Sequence, residues 1–91
     1  MGSISSASVR AIIIKDEHML VEWYEPRSVC FTPGGRIEPG EKIEQTIERE
    51  LKEELGTTAI VRERYLGRFF NRWQDDGPVI ESTDHFFACS W

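Results

Sequence analysis

Apolar residues recur along the chain with two different periods, and the change of period divides it. Residues 9–14 (VRAIII) are rich in β-branched side chains and end in a continuous apolar run. That run predicts a strand covered on both faces. Residues 15–18 (KDEH) are a polar break, and residues 19–24 (MLVEWY) predict the return strand of a hairpin, ended by Pro26. Residues 28–32 predict a short extended piece, and residues 33–35 (PGG) a turn. From Glu41 onward the spacing is helical: Ile43, Ile47, Leu51 and Leu55 recur every fourth residue and make one apolar stripe. Pro39 and Gly40 punctuate the start. Glu41 and Glu44 stand in the first turn, where the helix dipole favours negative charge. Gly56 supplies the left-handed residue that commonly closes a helix.

Beyond the helix the period returns to two. Residues 58–66 predict a strand with an irregularity, Gly67 a bulge, and residues 68–73 (RFFNRW) its continuation. Residues 74–78 (QDDGP) are a turn, and residues 83–91 (TDHFFACSW) a final strand. Residues 1–7 are small and polar and predict a flexible N-terminus, leaving 8–91 as a single domain. The aromatic strand runs to Trp91 with no polar tail. This leaves two expectations: a sheet lacking its C-terminal part, or one completed by a second copy in a homodimer.

Composition narrows the functional classes. Ninety-one residues allow one small domain with a thin core. Its aromatic content argues against disorder. A net charge of −5 disfavours a stable nucleic-acid or anionic-membrane partner. No apolar run approaches the roughly 18 residues of a membrane span, and the N-terminus has no basic stretch followed by an apolar one. Cys30 and Cys89 form no Cys-x-x-Cys pair, and predict two reduced, partly buried thiols in a cytoplasmic protein. An acidic protein still binds an anionic substrate when a cation bridges the two.

The helix offers the means. At about 100° per residue, Glu50 and Glu54 lie within roughly 40° of each other, at the edge of the apolar stripe. Glu53 falls on the far side of Glu50. Like charges at these spacings repel, and a cation relieves them. Carboxylate oxygens suit hard ions such as Mg²⁺, and glycines at 34 and 35 let backbone approach the same ion. The plainer alternative is a solvated helix laced with salt bridges, such as Glu48 with Lys52. On composition alone that alternative is favoured.

The spacing reverses the preference. Gly35, five residues, Glu41, seven residues, then Arg49-Glu50-Leu51-Lys52-Glu53-Glu54-Leu55-Gly56 resembles the Nudix hydrolase signature G-x5-E-x7-R-E-U-x-E-E-x-G-U, where U is bulky and aliphatic. Seven fixed letters match, a coincidence on the order of one in 10⁸ at one position. The final U is Thr57, a minor departure. The flank FTPGGRIEPGE also fits, so the resemblance is specific over residues 31–57.

The resemblance implies an α/β (α+β) fold, an α/β/α sandwich around a mixed β-sheet, incomplete at this length. It implies hydrolysis of the diphosphate linkage of a nucleoside diphosphate joined to another moiety, with Mg²⁺ or Mn²⁺ as cofactor and a nucleotide-type small molecule as substrate. By the same resemblance Glu50 and Glu54 are principal metal ligands. Glu53 is a further ligand or holds a metal-bound water, and Glu41 lies near the metal, directly or one layer out. Gly35 offers its carbonyl, and Arg49 orients the glutamates. The implied chemistry is metal-ion catalysis with a glutamate as base, Glu50 being the first candidate. Arg36 is a candidate phosphate contact, and Phe70 and Trp73 are candidates to stack on a base, although most aromatics in so small a domain are core. The competing function is a Nudix-like domain that binds a nucleotide without turning it over.

Overall fold

The computed structural model describes residues 3–56, 59–74 and 76–91. Its elements, in chain order, are β1 (Ser3–Lys15), β2 (His18–Met19), β3 (Glu22–Tyr24), β4 (Val29–Phe31), β5 (Gly34–Arg36), α1 (Ile43–Leu55), β6 (Val61–Trp73) and β7 (Val79–Ser90). β1 and β7 lie side by side in parallel, in register from Ser3 opposite Val79 to Ile13 opposite Cys89. β6 runs antiparallel on the other side of β7, while β2 and β5 both pair antiparallel with β1. β3 and β4 form a separate two-stranded sheet. The fold is therefore α+β, a mixed sheet with one α-helix among the described residues, besides a single 3-10 turn at Glu25–Arg27.

Periodicity accounts for the packing. Val9, Ala11 and Ile13 of β1 are buried with Phe87 and Cys89 of β7 beneath Ile47 and Leu51 of α1. Ile43 and Leu55 extend the same stripe at its ends, partly buried. Each fully buried aliphatic side chain contributes about 1.5–3 kcal/mol over its exposed state. The helix starts at Ile43 rather than at Glu41. Gly40 takes φ 84° in the turn before it, and the amide of Glu41 donates to the carbonyl of Glu38. Lys42 N–H donates to the Gln45 side chain, satisfying one amide of the first turn, and Gly56 closes the helix at φ 64°.

Several expectations change. From Ser3 onward the supposedly flexible N-terminus is strand, because small residues lie flat against β7 and the pairing needs only backbone. Residues 9–14 are not covered on both faces: the odd positions are buried, but Ile14 is 63% exposed. The predicted strand 19–24 is split, its first residue pairing with β1 and its last three with β4. Gly34 and Gly35 are strand rather than turn. β7 begins at Val79, earlier than residue 83. β6 is one long strand with two register shifts, one of them between Tyr65 and Gly67. Cys89 is buried but Cys30 is exposed, and both are free. Among the described residues no helix is long and apolar enough to cross a membrane. Met1 and Gly2 of the N-terminal segment, Thr57 at the end of the motif, Thr58 at the predicted strand start and Asp75 of the predicted turn lie outside the described residues.

Gly34 shows why β5 reads poorly as a strand. Its φ is 150°, and a Cβ there would lie 2.0 Å from the Val9 carbonyl oxygen. Only a residue without a side chain lets β5 lie this close to β1.

The one-sided burial of β1 is testable with neighbouring isoleucines. Ile13→Ala is expected to cost about 2–5 kcal/mol in denaturant unfolding, whereas Ile14→Ala should stay within about 0.5 kcal/mol. Equal costs would show that β1 is covered on both faces.

Candidate active site

With its apolar stripe turned to β1 and β7, α1 presents the neighbouring edge to β5. The Glu50 carboxyl fills the space over Gly35, where an added Cβ would lie 2.4 Å from its Cδ. Gly35 therefore matters first for the side chain it lacks. One turn on, Glu54 Oε1 accepts the Gly34 amide at 2.9 Å. Two carboxylates from one helix edge thus converge on two successive glycines of β5.

Arg49 fixes this edge. Its Nε donates to Glu41 Oε2 at 2.7 Å and its Nη2 to Glu41 Oε1 at 3.0 Å. The same Nη2 donates to the Arg36 carbonyl at 3.0 Å. Its Nη1 reaches Glu50 Oε1 at 2.8 Å and Glu53 Oε2 at 3.3 Å. The planar fork suits a two-point bond to one carboxylate. It ties the loop before α1, the helix and the end of β5 into one unit. Glu41 also accepts the Glu38 amide and the Thr46 hydroxyl. Its oxygens are engaged with the protein, so in this structure it clamps the loop. Glu53 is more open, its side chain 59% exposed.

The charges respond to these partners. The Arg49 guanidinium, helped by the Glu38 amide, holds Glu41 down at about 2. Arg49 itself is raised above its ordinary value by Glu41. Glu54 is pushed up to about 7, first by partial burial and then by the carboxyl of Glu22 beside it, against the pull of the Gly34 amide. Glu22 on β3 lies outside the motif, and sequence reasoning missed it. Its Oε2 is buried without a hydrogen-bond partner among the described residues. The one local sign was its position two residues after Leu20, which packs on the core.

The other candidates are spread out. The Arg36 side chain is exposed at the end of β5. Phe70 and Trp73 are 64% and 50% exposed on β6, separated from β5 by β7 and β1. Phe70 stands opposite Thr83 and Trp73 opposite Ile80 with no register shift between them, so the two rings occupy opposite faces of the sheet. They do not share a stacking site.

Among the described residues no three acidic, histidine or cysteine side chains form a ready metal cage. Mg²⁺ does not require one, since it commonly takes one or two carboxylates and completes its shell with water and phosphate oxygens. The donor set fits such an ion: Glu50 and Glu54 converge on glycine backbone, and an unpaired carboxylate oxygen lies buried nearby.

The comparisons agree with this architecture. The NUDIX domain family model matches residues 5–91, and the chain belongs to the Nudix family. Among solved structures it is similar to the MutT protein of Bacillus halodurans, at 26% identity and a TM-score of 0.74, covering 94% of this chain and 56% of that one. It is similar also to a UDP-X diphosphatase, at 30% identity and a TM-score of 0.75, covering 93% of this chain and 41% of that one. The likeness to an ADP-ribose pyrophosphatase of Streptococcus suis, at 19% identity and a TM-score of 0.70, covers 93% of this chain and 59% of that one and shows the fold alone. The chain thus spans about half the length of these structures. No curated protein matches it.

The Glu41–Arg49 clamp has a pH signature. Because the folded value of Glu41 lies below its ordinary 4.5, its stabilisation is full above that value and fades as pH falls towards 2. In chelator, Glu41→Gln should melt below the wild type at pH 7, and the gap should shrink as pH drops from 5 to 2. A gap independent of pH would mean that Glu41 does not act through its charge.

Proposed function

We propose that this chain forms the cation- and diphosphate-holding part of a hydrolase that cleaves the diphosphate linkage of a nucleoside diphosphate joined to another moiety. The observation that carries this reading is the convergence of Glu50 and Glu54 on the Gly34–Gly35 backbone. The motif, matched at every fixed letter, and the family support it. So does the name of one similar structure, a UDP-X diphosphatase.

Glu50 and Glu54 would hold the Mg²⁺ or Mn²⁺, with Glu53 at the open side. A cation held by these residues would supply polarisation of the phosphoryl group and offset the charge developing on it. The protein's own part is orientation. Arg49 holds Glu50 through one oxygen, and Gly35 gives its carboxyl room against β5. The Gly34 amide aims Glu54. Glu41 keeps Arg49 in place and so acts as a positioning residue. Glu50 is the candidate base, and the exposed Arg36 at the end of β5 the candidate phosphate contact.

Substrate class and dependence on metal are both read from one screen. A panel of nucleoside diphosphate derivatives with Mg²⁺ or Mn²⁺ should give nucleotide or phosphate release from at least one member, abolished by chelator. Gly35→Ala, whose new Cβ displaces Glu50, should lower kcat about tenfold or more. No turnover by a full-length, metal-loaded form would contradict the hydrolase reading, and undiminished activity of Gly35→Ala would contradict the role given to the glycine.

A further inference from the structure

We propose that Glu22, on β3, is a further ligand of the divalent cation, adding a carboxylate from outside the motif to those of the helix. This rests on the reading of Glu50 and Glu54 as a cation site. Glu22 lies in the small β3–β4 sheet, opposite Phe31. Its carboxyl stands within hydrogen-bonding reach of the Glu54 carboxyl. Its Oε2 is buried and has no hydrogen-bond partner among the described residues.

That arrangement is a poor structural device. Two carboxylates have only acceptor oxygens to offer each other, and neither donates without a retained proton. A glutamine at this position would donate an N–H to Glu54 and satisfy the pair. The Arg49 guanidinium does not neutralise the pair, since its fork is spent on Glu41, Glu50, Glu53 and the Arg36 carbonyl. A hard divalent ion satisfies acidic oxygens that converge in this way, with water and phosphate filling the remaining positions. Glu22 would thereby tie β3 to α1 through the ion.

The test is Mn²⁺ titration, read from the electron paramagnetic resonance of the free ion, on the wild type, Glu22→Gln, Glu54→Gln and Glu17→Gln. Glu17 is exposed in the β1–β2 turn, so its variant removes the same charge elsewhere. Glu22→Gln should bind Mn²⁺ about tenfold more weakly or worse, with a metal-free melting temperature no lower than the wild type, and Glu17→Gln should bind as the wild type does. If Glu54→Gln weakens binding and Glu22→Gln does not, the assignment of Glu22 is overturned while the helix site stands. Equal weakening by Glu22→Gln and Glu17→Gln would reduce the effect to bulk charge and overturn it too. A wild type that binds no Mn²⁺ at millimolar concentration would overturn both readings. Should Glu22→Gln melt early, the carboxyl ¹³C signal of Glu22 in the wild type decides: a shift on adding Mg²⁺ supports ligation, and an unmoved signal overturns it.

Discussion

The arrangement of the site depends on one guanidinium. Arg49 gathers Glu41, Glu50 and Glu53 and reaches the carbonyl of Arg36. Without it, three carboxylates on one helix edge and its preceding loop would repel one another. With it, the loop, the helix and the end of β5 share one geometry. Such a bond network is strongest where partly removed from water, and Arg49 and Glu41 are both largely covered, their side chains 23% and 17% exposed. Removing the arginine would leave a partly buried carboxylate without its partner, the costly kind of loss.

Two glycines carry the other half of the constraint. Gly34 brings β5 against the backbone of β1, and Gly35 gives the Glu50 carboxyl its place. Neither makes a side-chain contact. Their effect is to let a helix edge and a strand approach until carboxylate oxygens and backbone amides meet. The hydrophobic stripe of Ile47 and Leu51 sets the rotation of the helix, and so decides that Glu50 and Glu54 are the residues presented there. Core packing, glycine spacing and the arginine clamp therefore specify the same small region.

The helix was legible in the sequence because its signals agree over four turns: an apolar residue every fourth position, acids at the start and a glycine at the end. β5 was not, since Gly-Gly-Arg lacks the side chains that mark strands and pairs through backbone alone. The first half of β1 was hidden in the same way by small polar residues. Phe70 and Trp73 looked equivalent along the chain, but their separation by three residues puts them on opposite faces once the register is known. Glu22 was illegible for a different reason. Apart from its place two residues after Leu20, nothing local distinguishes a surface glutamate from one folded against Glu54, and only the tertiary arrangement brings them together. The motif glutamates were legible as a set, whereas the division of labour was not: Glu41 engages the protein, while Glu50 and Glu54 face the glycines.

The central claim is that the helix edge facing β5 is where a divalent cation binds. The most direct measurement is the broadening of assigned backbone amide signals by substoichiometric Mn²⁺. The account predicts loss of signal centred on Gly34, Gly35, Glu50 and Glu54. Loss centred instead on Glu44 and Glu48, at the opposite edge of the apolar stripe where Glu48 meets Arg62 of β6, or no selective loss at all, would contradict it.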